Sequence, residues 1–160
     1  KRKTPQNIVI GGIAGSLPPV IGWSISTNSI SLVSISLFLI IFFWTPSHFW
    51  ALSLYKADDY KKAKIPMMPI TDGIEKTKLY ILIYSLLMLP VVILPYLVNF
   101  SGLTYLVSTM ILTLYYNFIC IDLYKNKKNK FDLKKAKKVF AYSILYLFLI
   151  FLLFLLDYLI

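Results

Sequence analysis

The stretch WTPSHFWALSLYKADDYKKAKIPMMP, Trp44 to Pro69, runs from an apolar segment into a charged one. Its first half closes a hydrophobic run over residues 30–55 and carries the sole histidine of the chain, His48. Two adjacent carboxylates, Asp58 and Asp59, stand where that run turns polar. Lys61, Lys62 and Lys64 follow, then the rigid insertion Pro66-Met67-Met68-Pro69. An apolar helix that delivers a carboxylate pair and a group of cations to a membrane edge reads as a site, not a spacer.

Four more runs share the same apolar character: residues 7–27, 79–99, 103–124 and 140–160. The chain is 58% hydrophobic, with a mean hydropathy of +0.71, far from the balance of a soluble domain. Each run is long enough to cross a bilayer as a helix, which takes about 20 residues. A backbone in lipid must satisfy its own hydrogen bonds, and a helix does so within one segment. The expected fold is all-α: five transmembrane helices in one polytopic bundle, forming a single membrane-embedded unit with no soluble domain.

The net charge of +10 raises the question of nucleic acid, and its placement answers it. All 17 basic residues fall in three clusters, Lys1 to Lys3, Lys56 to Lys78 and Lys125 to Lys138. The turns between them, at Thr27 to Ser29 and Asn99 to Gly102, carry no charge. Five crossings put the clusters on one side and the neutral turns on the other. This positive-inside pattern predicts a cytoplasmic basic face and an external C-terminus. Anionic lipid headgroups explain the lysines, so membrane lipids are the expected partner and nucleic acid is not. Cys120 is the only cysteine and lies within an apolar run, where packing is its role; no disulfide framework is available. The chain opens on Lys1, already in a basic cluster, and is expected to be the C-terminal portion of a longer protein.

Gly11 and Gly15 form a small-xxx-small pair in the first run, suited to close approach by another backbone. Pro18 and Pro19 are expected to bend that helix beyond its midpoint, and Pro46 to kink the second. If the second helix continues past its apolar part, Trp44, His48, Tyr55 and Asp59 share one face. Asp59 then sits at the water edge, with His48 about 16 Å deeper. The Pro-Met-Met-Pro piece is expected to be extended or turned and to dip into the interface as a lid. Asp72-Gly73 marks a turn. Pro90 and Pro95 are expected to bend the third helix, Asp122 to be satisfied near Lys125, and Asp157 to reach water at the outer end of the fifth. The three C-terminal runs hold few residues with evident chemistry.

Two carboxylates beside lysines suit magnesium and phosphate, because magnesium prefers hard oxygen ligands and commonly joins one or two carboxylates to substrate phosphates. The pair by itself does not distinguish such a site from a solvated loop. A histidine within a membrane span is a functional candidate. Spacing leaves its role open among a bond to a neighbouring helix, a proton relay, and contact with a metal or porphyrin. Phe42, Phe43, Trp44, Phe49 and Trp50 are packing or lipid-facing residues, some of them suited to line an apolar tunnel and face a cation.

The two segments KRKTPQNIVIGGIAGSLPPVIGW and FFWTPSHFWALSLYKADDYKKAKIPMMP closely resemble the heme O synthase (protoheme IX farnesyltransferase) family of UbiA-type intramembrane prenyltransferases. The resemblance is strong from Lys1 to about Gly73 and generic beyond. It implies about nine spans, five of them here, in a bacterial plasma membrane. It implies farnesyl transfer from farnesyl diphosphate to the 2-vinyl group of heme B, with addition of water, giving heme O and diphosphate. A downstream heme A synthase is an implied partner. Family members hold magnesium diphosphate between two Asp-bearing cytoplasmic segments. The second matches Asp58 and Asp59, which become the expected catalytic and metal-binding residues. The first, of the form Asn-x3-Asp-x3-Asp, does not occur in this chain, so the piece alone is expected to be inactive. Lys1, Arg2, Lys3 and Lys62 become candidate diphosphate contacts; Trp44, His48 and Tyr55 become candidate substrate contacts, His48 toward heme or the water. Two residues depart from the pattern: Lys64 stands where a glycine is expected, and Ser47 where a second proline is expected.

Two rivals remain. A sister prenyltransferase with an aromatic or quinone-precursor acceptor shares the carboxylate logic, although WTPSHFWAL and IPMMP favour the heme branch. A proton or ion transporter predicts charged or polar groups spread through the membrane depth, and the last three runs carry few.

Overall fold

The computed structural model describes residues 4, 6–125 and 133–159. The first apolar run forms two helices, α1 (Asn7–Ser16) and α2 (Pro18–Thr27), broken at Leu17. The break falls just before Pro18 and Pro19, which lack N–H groups and sit best in the first turn of a helix. Asn28, at φ 52°, ends α2 in the left-handed region. Ser31 then starts α3 (Leu32–Tyr55) through a reciprocal capping box with Ser34. The charged loop folds into two short helices, α4 (Ala57–Lys62) and α5 (Met68–Thr71). Three long helices complete the chain: α6 (Ile74–Leu97), α7 (Leu103–Tyr124) and α8 (Leu133–Leu159). Five segments, counting α1 with α2 as one, are long and apolar enough to span a membrane, and the described residues contain no strand. The fold is the expected all-α polytopic bundle.

The helices α3, α6, α7 and α8 pack as a closed ring, each against its two neighbours, and α1 and α2 lie on the outside of α3. Ile40, Trp50, Ile81, Met88, Tyr116, Cys120 and Tyr146 are buried at its centre. Contacts between residues far apart in sequence fix the two ends of the bundle. At one end, Asn7 Nδ2 donates to Pro66 O at 3.3 Å, and Lys135 meets Asp122 at 2.6 Å. At the other, Trp23 contacts Phe100 edge-on at 5.7 Å, and Asp157 accepts from the backbone N–H of Gly102.

Three helix starts differ from the hydropathy reading. The second run becomes helical at Leu32 rather than residue 30. The third helix begins at Ile74, not residue 79, after Gly73 turns the chain at φ 87°. The fifth begins at Leu133, not residue 140, so Lys134, Lys135, Lys137 and Lys138 are helical. Hydropathy measures the length that can face lipid. A helix continues into the charged interface wherever its residues have fair helical propensity, as lysine has. Asp122 takes Lys135 rather than the expected Lys125. Asp157 does not simply reach water: it accepts from Gly102 and Tyr105 N–H and caps the first turn of α7.

The last three spans are richer in polar groups at depth than their sequence suggested. Ser85 Oγ donates to Asn117 Oδ1 at 3.1 Å, Asn117 Nδ2 to Thr113 O at 2.9 Å, and Thr113 shares a 2.9 Å bond with Tyr146 Oη. These groups are neutral and mutually satisfied, as a buried network must be to stabilise a bundle.

Candidate functional site

Two clusters carry the chemistry singled out in Trp44 to Pro69. The deeper one lies on the seam between α3 and α8. Trp44 and His48 stand one turn apart on α3, so their rings meet: they stack at 4.3 Å with an 18° interplanar angle. Phe140 of α8 stacks on His48 at 4.6 Å, and Phe49 contacts it edge-on at 5.0 Å. Ser143, one turn along α8, bonds His48 Nδ1 through its Oγ at 2.7 Å. Its carbonyl accepts from Trp44 Nε1 at 2.8 Å. Tyr55 joins the same seam through Phe140 at 5.8 Å and lies 5.7 Å below the Lys137 ammonium, within cation–π range. The expected face Trp44–His48–Tyr55 is therefore real and is covered by Phe140, Ser143 and Lys137.

Asp59 does not continue that face. Lys56 leaves helical geometry at φ −110°, ψ 20°, α3 ends at Tyr55, and the carboxylates restart on α4. Asp58 and Asp59 occupy the first turn of α4, and both are exposed. Asp59 pairs with Lys56 at 3.1 Å, and no ion pair among the described residues joins either aspartate to Lys62. Lys1, Arg2 and Lys3 lie outside the described residues. The described residues contain no cluster of three or more His, Cys, Asp or Glu side chains fit for a bare metal ion. Two exposed carboxylates fit a magnesium ion that arrives with diphosphate oxygens of its own, since magnesium is commonly held by one or two carboxylates plus phosphate.

The loop after α4 is not a lid. Lys64 adopts φ 54°, supplying the left-handed turn for which a glycine was expected. Met67 then runs extended at φ −82°, ψ 148°, and Pro69 falls in the first turn of α5. Met67 and Met68 are 2% and 1% exposed, so the segment is a plug packed on α3 and α6. Burying one such side chain is worth about 1.5–3 kcal/mol. Near this plug Asp72 receives hydrogen bonds from Lys76 at 2.6 Å and Thr71 at 2.8 Å. These bonds, led by that from Lys76, hold its carboxyl below the usual range. Ser47, standing where a proline was expected, accepts from Tyr116 Oη at 2.8 Å and ties α3 to α7.

A cavity of about 310 Å³ opens between α1 and α3, walled by Gly11, Gly12 and Gly15 on one side and Ile41, Trp44, Thr45 and Phe49 on the other. Gly12 is the glycine that α3 approaches, since a Cβ there would meet Thr45 at 3.3 Å, whereas Cβ atoms at Gly11 and Gly15 would meet nothing within 4 Å. The expected close approach at Gly11 and Gly15 does not occur within the described residues. Trp44 and Phe49 form the shared wall between this cavity and the His48 seam.

The profile of the UbiA prenyltransferase family matches residues 1–144. The chain belongs to the UbiA prenyltransferase family. Within it the chain is 73% identical to protoheme IX farnesyltransferase of Pelagibacter ubique, across 98% of this chain and 52% of that protein. It is 52% identical to the protein of the same name from Neorickettsia sennetsu, across 98% and 50%. The Azorhizobium caulinodans protoheme IX farnesyltransferase is 48% identical, across 94% and 49%. The chain thus spans about half the length of the curated relatives it matches. No solved structure matches it.

Three residues escaped the sequence reading, two of them at the His48 seam. Phe140 and Ser143 lie more than ninety positions from His48, beyond the reach of any helical period. A serine inside the Leu- and Phe-rich run 139–156 was the available signal. Lys78, fully buried and 2.9 Å from Glu75, was assigned to the loop because the helix was expected to begin one residue later.

Proposed function

We propose that the chain is part of a heme O synthase, which transfers a farnesyl group from farnesyl diphosphate to the 2-vinyl group of heme B, adds water and releases diphosphate. The observation that carries this reading is the 73% identity to a protoheme IX farnesyltransferase over nearly the whole chain. The geometry supports it. Asp58 and Asp59 on α4 would hold magnesium diphosphate, and bound magnesium neutralises the leaving diphosphate. Lys62, and Lys1, Arg2 and Lys3 beyond the described residues, are the candidate helpers. The apolar cavity beside Trp44 suits the farnesyl chain and keeps water from its allylic cation once the C–O bond ionises. The clamped imidazole of His48 is suited to contact the porphyrin, with Trp44 and Tyr55 around it. The vinyl group attacks the cation, and water captures the positive centre left beside the ring.

The missing partner carboxylates belong, on this reading, to the other half of a protein about twice this length, and this piece alone is inactive. The family resemblance favours a bacterial plasma membrane, and the basic clusters favour α4 on its cytoplasmic side and the C-terminus outside. A heme A synthase is the proposed recipient of the product.

Membranes carrying the full reading frame test the proposal when incubated with farnesyl diphosphate and either heme B or an aromatic acid. The expected product is a heme heavier by one farnesyl group and one water. Chelation should abolish its formation, and magnesium should restore it. A prenylated aromatic acid without heme O would overturn the acceptor, and no prenylated product of either kind would overturn the activity.

A further inference from the structure

We propose that Ser143 is a positioning residue that fixes His48 as its Nδ1–H tautomer, so that the ring offers a bare Nε2 electron pair to the iron of the porphyrin substrate. The inference rests on the porphyrin reading above and assigns the nitrogen that meets it. A serine hydroxyl has one proton. Ser143 Oγ lies 2.6 Å from Phe140 O, and two oxygens at that separation repel unless a proton lies between them. The hydroxyl therefore donates to the Phe140 carbonyl. Only its lone pairs remain for His48 Nδ1 at 2.7 Å, so Nδ1 must carry the proton. In a neutral imidazole the second nitrogen is then the acceptor.

The surroundings hold this arrangement. Trp44 and Phe140 stack on the ring and Phe49 meets its edge. Turning the ring over would replace Nδ1 by carbon at Ser143 and forfeit that bond. Trp44 Nε1 bonded to Ser143 O keeps the two helices in register. His48 retains 7% of its surface, and Nε2 has no hydrogen-bond partner among the described residues. Histidines that ligate metals commonly donate their other N–H to a fixed acceptor, the part Ser143 plays here.

The test uses the full-reading-frame protein in lipid nanodiscs, labelled with ¹⁵N-histidine and free of heme. His48 is assigned by the signals lost in His48→Gln. The expected spectrum has a protonated Nδ1 and an unprotonated Nε2, and Ser143→Ala should release the ring into the Nε2–H form. A wild-type Nε2–H ring, or a tautomer unchanged in Ser143→Ala, overturns the inference. Titration with ferric protoheme, followed in the Soret band, should show affinity falling about 10- to 100-fold in Ser143→Ala. Ser143→Thr, which keeps the hydroxyl, should restore it. Equal affinity in Ser143→Ala also overturns the inference. Farnesyl transfer to heme by a protein whose tautomer is reversed would defeat this inference alone. Lack of transfer with the tautomer as assigned would defeat the acceptor reading alone.

Discussion

The seam at His48 and the edge at Asp59 lie close in the chain and are built in opposite ways. At the seam each ring face, the Nδ1 atom and the supporting indole have partners within this chain. At the edge the two carboxylates are exposed on a six-residue helix, and Asp59 has one exposed lysine beside it. The first is preorganised before any ligand arrives. On the proposed function, the second would gain its order from magnesium diphosphate. The break at Lys56 separates them, so on the proposed function α4 could adjust to a diphosphate without disturbing the stack around His48.

The largest expected effect is at the edge. Asp59→Asn in the full-length protein should lower turnover on the order of a hundredfold, as removal of a transition-state electrostatic contact does. Insertion and heme binding should be intact; near-normal heme O production would remove Asp59 from the proposed metal site. The next effect concerns the cap at the opposite end of the bundle. Asp157→Asn weakens the bonds to Gly102 and Tyr105 N–H, and thermal unfolding in detergent should report a loss of about 1 kcal/mol. No loss would mean that the cap is idle. A smaller change of opposite sign is expected at the loop. Lys64→Gly relieves a left-handed lysine and should stabilise by up to about 1 kcal/mol, seen as a higher midpoint at unchanged activity. The smallest effect is at Asp72. Its carboxyl is held low in the folded protein, so its contribution is present above the unfolded value and fades as pH falls through the acidic range. Asp72→Asn should therefore lower stability slightly at neutral pH, with the difference from the native chain shrinking toward acid. A midpoint difference that grows toward acid would refute that sign.

The five spans were legible because membrane crossing is a matter of apolar length, and the charge map arranged them. The glycine-like turn at Lys64 was legible only as a misfit; its φ shows that the turn survives with a lysine in it. The starts of α6 and α8 were hidden because lysines extend helices past the lipid-facing run. The break at Lys56 has no proline or glycine to announce it. The pairing of His48 with Ser143 depends on how two helices pack, which no local pattern encodes.

The division of labour between seam and edge is tested most directly by one kinetic comparison of His48→Ala and Asp59→Asn in the full-length enzyme, with heme and magnesium farnesyl diphosphate varied in turn. The account predicts that His48→Ala raises the KM for heme and leaves the magnesium dependence unchanged. Asp59→Asn should raise the magnesium concentration needed for half-maximal rate and leave the KM for heme unchanged. Both variants moving the same parameter, or His48→Ala leaving heme saturation untouched, would contradict it.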